Sequence, residues 1–78
     1  MQQTADRFVR FGVRLKKRRE REGFTRGDLS YSIGYSEAYI ANVEEERITI
    51  PNMEFVQRVS KLFGWKIEDL LFVMYQRS

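Results

Sequence analysis

The chain has 78 residues, enough for one domain of modest stability and too few for a deep pocket. Its 42% hydrophobic and 32% charged residues are those of a folded protein, and the absence of Cys and His removes thiolate nucleophiles, disulfides, imidazole bases and nearly all zinc ligand sets. The net charge of +3 is unevenly spread: residues 1–23 hold 8 basic and 3 acidic groups, residues 24–50 hold 2 and 5, and residues 51–78 hold 4 and 3.

The opening MQQTADRF has no apolar signal core, and no run approaches the roughly 18 apolar residues a membrane span needs, so the expected location is the cytoplasm. The first predicted element is an amphipathic helix over about residues 6–22, in which Phe8, Phe11 or Gly12, Leu15 and the stems of Arg18 and Arg19 recur at three- and four-residue steps before Gly23. Arg14, Lys16, Lys17, Arg18, Arg19 and Arg21 make it the densest cationic stretch, either a solvated face or a surface for phosphate.

Residues 25–46, TRGDLSYSIGYSEAYIANVEEE, read as two short helices joined by a turn. Thr25 with Asp28 three positions later has the pattern of a capping box, Gly34 stops the first helix, and Ser36 starts a second carrying Tyr39, Ile40 and Val43 at helical spacing. Such a helix-turn-helix unit lets its second helix enter a DNA groove. Pro51 marks a loop, Asn52 caps a fourth helix with Phe55, Val56, Val59, Leu62 and Phe63 on its inner face, and Gly64 ends it. A last helix over about 67–76 is apolar on nearly every side, which predicts that Leu70, Leu71, Met74 and Tyr75 form a homodimer interface rather than only completing a small core.

Gly12, Leu15, Arg19, Gly23, Leu29, the run IGYSEAYIANVE, Pro51 and VSKLFGWKIEDLL, in that order and spacing, make the chain resemble helix-turn-helix domains of the phage repressor and Cro type. The resemblance implies an all-α, five-helix lambda-repressor-like fold with residues 1–78 as a single domain and residues 36–45 as the recognition helix. It also implies a DNA-binding set of Arg26, Ser36, Glu37, Ala38, Tyr39, Asn42 and Arg47. Arg26 stands where the family usually has a Gln that bonds phosphate or a base, and Arg19 with Glu44 matches an interhelix ion pair that orients the recognition helix. Physical chemistry supports base reading from this set, since Asn can bond adenine twice, Glu can accept from cytosine and an alanine methyl can meet thymine.

The sequence departs from the family at Glu46, where a helix-ending glycine is usual, in a loop to Pro51 that is one residue longer, in Ser30 for a common alanine, and at Gly27, which costs about 1 kcal/mol against alanine inside a helix. Glu37, Glu45 and Glu46 bring negative charge towards a polyanion, with Arg47 the only cation near that end, and Glu45 and Glu46 receive no role from the sequence. The expected function is a sequence-specific transcriptional regulator of repressor type acting as a homodimer on double-stranded DNA half-sites. The alternative is a protein-interaction module on the same fold. No enzymatic activity, cofactor, metal or small-molecule substrate is expected: Glu44, Glu45 and Glu46 point in different directions on a helix and form no converging acid/base pair.

Overall fold

A computed structural model describes residues 10–67. These residues form four helices, α1 (Phe11–Arg21), α2 (Arg26–Ile33), α3 (Glu37–Glu44) and α4 (Met53–Phe63), with no strand among them. The expected fifth helix, over about 67–76, and the dimer residues Leu70, Leu71, Met74 and Tyr75 lie outside the described residues, apart from Ile67 at the helix start.

Local chemistry sets most of the boundaries. Arg10 is extended, with φ −66° and ψ 156°, so α1 begins at Phe11 and does not run through from residue 6 as the periodicity suggested. It closes at Gly23, whose φ of +80° suits a residue without a Cβ, while the Gly23 and Phe24 amides donate to the Glu20 and Arg19 carbonyls. At the start of α2 the capping box is complete: the Thr25 hydroxyl accepts from the Asp28 amide at 3.0 Å and the Asp28 carboxylate accepts from the Thr25 amide at 2.9 Å. Gly34, at φ +76°, ends α2 and leaves a two-residue turn before α3, whose Ser36 hydroxyl accepts from the Tyr39 amide at 3.0 Å. Asn52 caps α4 through the Glu54 amide at 2.7 Å.

Phe11, Leu15, Leu29, Ile33, Ile40, Val43, Phe55, Val56, Val59 and Phe63 form one buried cluster drawn from all four helices. Phe55 sits at its centre, edge-on to Phe11, Tyr35 and Tyr39 at ring-centroid distances of 6.3, 5.1 and 5.0 Å. One expectation is corrected. Leu62 is 39% exposed and leaves the core, because the buried face of α4 is completed by Ser60, whose hydroxyl donates to the Val56 carbonyl at 2.7 Å and needs no outside partner. No helix among the described residues is long and apolar enough to cross a membrane.

Candidate nucleic-acid interface

The attitude of α3 is fixed from beneath. Ile40 and Val43 enter the core, and the next inward position is Glu44, whose side chain is fully buried. A buried carboxylate is costly unless its oxygens are paired, and here both are. Arg19 of α1 donates from Nε at 2.6 Å and from Nη2 at 3.0 Å, a two-point grip, while its Nη1 donates to the Phe24 carbonyl at 2.8 Å. Arg26, in the first turn of α2, adds a third hydrogen bond at 2.9 Å. Glu44 therefore ties α3 to α1 and α2 at once, and among the described residues no buried side-chain nitrogen or oxygen lacks a partner.

Glu37, Ala38 and Glu45 are exposed on the opposite side of α3, with Ala41 and Asn42 half-buried between them. This is one face at helical spacing. The Glu37 carboxylate leans back over α2, where a Cβ on Gly27 would come within 3.2 Å of its Oε2. Ser36 is engaged as the N-cap. Tyr39 does not point freely outward: its ring packs on Phe55 and Tyr35, and its hydroxyl accepts from the Asn52 amide at 2.9 Å, fastening the start of α4 to α3. Asn42 accepts from Arg47 Nε at 2.8 Å through its side-chain oxygen, while its carbonyl takes the Arg47 and Ile48 amides at 2.8 and 3.0 Å. The two cations of the expected set therefore flank α3 from different directions, Arg26 from α2 and Arg47 from the following loop.

The structure gives Glu45 and Glu46 definite surroundings that the sequence did not. Glu45 bridges the flanking cations, with Arg47 Nη1 at 2.7 Å and Arg26 Nη2 at 3.3 Å. The hydrogen bond from Arg47 and then its charge hold the Glu45 carboxyl below its usual range, with Arg26 assisting and partial desolvation opposing. Arg26 in turn is held above its ordinary value, chiefly by the hydrogen bond to Glu44. Glu46 takes φ +65°, the left-handed conformation for which a helix end favours glycine, and its carboxylate receives Arg10 Nη1 at 2.7 Å. The only signal in the sequence for these junctions was the run of three Glu followed at once by Arg47.

The basic run of α1 divides. Arg19 is spent on Glu44, and Arg18 donates to Glu22 and to the Phe63 carbonyl while its guanidinium lies 5.0 Å from the Phe63 ring. Arg14 stands over Trp65 at 5.1 Å. Lys16, Lys17 and Arg21 are exposed and form no ion pair among the described residues. Lys17 and Arg21, four residues apart, lie on the side of α1 away from Gly12 and Arg19, hence away from α3.

Residues 10–71 match a family described as a helix-turn-helix domain, which covers most of the chain and takes in all four helices. The chain belongs to the helix-turn-helix family. It is of the repressor and Cro type that its sequence resembles. Among characterised proteins it is similar to the HTH-type transcriptional regulator SinR of Bacillus subtilis (strain 168), with 27% identity over 60 residues that are 77% of this chain and 54% of that protein. SinR of Bacillus licheniformis matches with the same identity and coverage. This helix-turn-helix chain thus spans about half the length of the curated relatives it matches. No solved structure gives a significant match.

Proposed function

We propose that the protein is a DNA-binding transcriptional regulator that presents α3 to the major groove, as a homodimer on paired half-sites. The observation that carries this reading is the three-point clamp on Glu44: it holds α3 rigidly by its inner face and leaves Glu37, Ala38 and Asn42 on the outer one. A recognition helix needs that combination, because base contacts discriminate only when their geometry is fixed, while phosphate contacts set the register. Arg26 and Arg47 flank the helix where backbone contacts belong. The likeness to transcriptional regulators supports the same reading. In it, residues 67–76 supply the fifth helix and, through Leu70, Leu71, Met74 and Tyr75, the pairing surface. The protein works in the cytoplasm without cofactor or catalysis.

The test is a titration of the full chain against duplex DNA from the gene's own upstream region, with random-sequence competitor, at two salt concentrations, alongside sizing in solution. Binding preference for the upstream duplex, reduced at one base position by Asn42→Ala, is expected, and equal binding to competitor under all conditions rejects the sequence-specific reading. Leu71→Asp or Met74→Asp is expected to give monomers.

The interaction-module reading draws on a different observation. Tyr31 is 93% exposed on α2, beside a groove of about 470 Å³ that also includes Ile33, Arg58 and Leu62. Failure to bind any duplex even at low salt would transfer the function to that surface.

A further inference from the structure

Two guanidinium nitrogens beside α3, Arg26 Nη2 and Arg47 Nη1, can meet a phosphate only if they are released first. Arg47 holds the Glu45 carboxylate at 2.7 Å through Nη1, and Arg26 holds the other Glu45 oxygen at 3.3 Å through Nη2. A carboxylate and a phosphate make the same demand on a guanidinium, namely paired acceptor oxygens in its plane. We infer that Glu45 is a built-in phosphate surrogate, occupying Arg26 and Arg47 in the free protein so that DNA must exchange a phosphate for it before these cations engage the backbone. The inference rests on the DNA-binding reading above and adds a residue that sets specificity without touching a base.

The physical argument is one of differences. A backbone contact made equally in every complex cancels from the ratio of operator to bulk affinity, so Glu45 changes that ratio by being displaced in one kind of complex and not in the other. With Glu45 in place, a random duplex held only by its backbone leaves the carboxylate where it is and forgoes both contacts. Only a duplex whose bases also satisfy the α3 face offsets the exchange. The arrangement is suited to reversal, because Glu45 is 43% and Arg47 61% exposed at the side chain, and neither is needed to satisfy a buried group. Arg26 keeps its 2.9 Å bond to Glu44 throughout and releases only Nη2. Arg47 stays tied through Nε to the Asn42 oxygen, so the exchange at Nη1 does not free the side chain completely. Displacing Glu45 therefore leaves both cations already aimed.

The test uses Glu45→Gln in the full chain, with Glu22→Gln as the control for removing one negative charge from an ion pair that involves neither α2 nor α3. Affinity for a random-sequence duplex is measured between about 50 and 200 mM salt. Glu45→Gln is expected to bind that duplex on the order of tenfold more tightly at the low end, the effect of one added charge-assisted contact. Its log–log salt slope should steepen by about 0.9, and its preference for the upstream duplex should fall. Glu22→Gln should change affinity no more than about twofold, as a distant exposed charge does. Equal gains in both variants, or no gain in Glu45→Gln while the wild type binds DNA, overturn the surrogate and leave the DNA reading standing. If neither wild type nor variant binds at the lowest salt, both inferences fall together. Thermal melting of the two variants confirms that each is folded.

Discussion

Gly12 of α1 lies flat against the main chain of α3: a methyl group on it would overlap the Val43 carbonyl oxygen and reach within 2.9 Å of the Val43 carbonyl carbon. The contact is backbone to backbone, so nothing nearby can rotate aside. It is also the approach that brings Arg19, two turns further along α1, within reach of Glu44. Gly12→Ala would gain up to about 1 kcal/mol of helix propensity. The steric term is larger, and the net expected effect is a loss of about 2–3 kcal/mol in denaturant unfolding, from forcing the two helices apart.

Gly27 gives the opposite expectation from the same chemistry. Its nearest neighbour is the Glu37 Oε2, 3.2 Å from where a Cβ would sit, and that atom is the free end of a flexible side chain on the surface. Gly27→Ala should therefore stabilise the fold by about 0.5–1 kcal/mol. A loss of stability would mean that the Glu37 carboxylate is fixed over the first turn of α2 rather than resting there.

Glu46 carries a conformational cost. At φ +65° a residue with a Cβ loses about 1–2 kcal/mol relative to glycine, set against one partly exposed ion pair with Arg10 at 2.7 Å that contributes about 0–1 kcal/mol. Glu46→Gly is expected to gain about 1 kcal/mol, read as a rise in melting temperature of about 4–8 °C for a domain of this size. An unchanged or lowered melting point would show that the Arg10 pair outweighs the backbone term.

The helix boundaries set within a few residues of each other were legible in the sequence, because each depends on one side chain and its own neighbours: Thr25 with Asp28, Gly34, Ser36, Asn52, Gly64. The start of α1 was not, since periodicity runs smoothly through Arg10 and gives no hint that its backbone is extended. Leu62 was misread for a related reason: it fits a three- and four-residue pattern, but the true stripe runs through Ser60, whose polarity disguises a buried position. At the candidate site, helical spacing already separates outward Glu37 and Ala38 from inward Ile40 and Val43. What spacing cannot reveal is which long side chains meet across helices. The Arg26–Glu44, Arg26–Glu45 and Arg10–Glu46 contacts join residues 18, 19 and 36 positions apart, and the Tyr39 hydroxyl reaches the Asn52 amide only because the Tyr39 ring of α3 packs on Phe55 of α4.

The two arginines on Glu44 should differ sharply when removed. Arg19→Met takes away two of the three hydrogen bonds to a buried carboxylate and is expected to cost about 3 kcal/mol. Arg26→Met leaves the two-point grip on Glu44 intact and removes a side chain that is itself 29% exposed, so about 1 kcal/mol is expected. Arg19→Lys should recover little, because an ammonium cannot reproduce the paired geometry. Denaturant unfolding of the three variants gives the order directly, and equal losses for Arg19→Met and Arg26→Met would show that the clamp is shared evenly.

Acidification tests the Glu45 junction without DNA. The Glu45 carboxyl is held below its usual range, first by the hydrogen bond from Arg47 and then by the charge of Arg47, with Arg26 adding less. A carboxyl whose folded value is depressed binds its proton less readily in the folded chain, so its contribution to stability is fully present above the unfolded value, about 4.3 for Glu, and is lost as the pH falls through the folded one. The melting temperature of wild type should thus exceed that of Glu45→Gln by a constant margin at neutral pH, and the margin should close as the pH drops below about 4.3. Both partners are arginines and stay charged throughout, so no second titration masks the effect. The pair is solvent-exposed, and the same margin should narrow with added salt. A margin that persists in strong acid would mean that Glu45 acts through packing rather than through its charge.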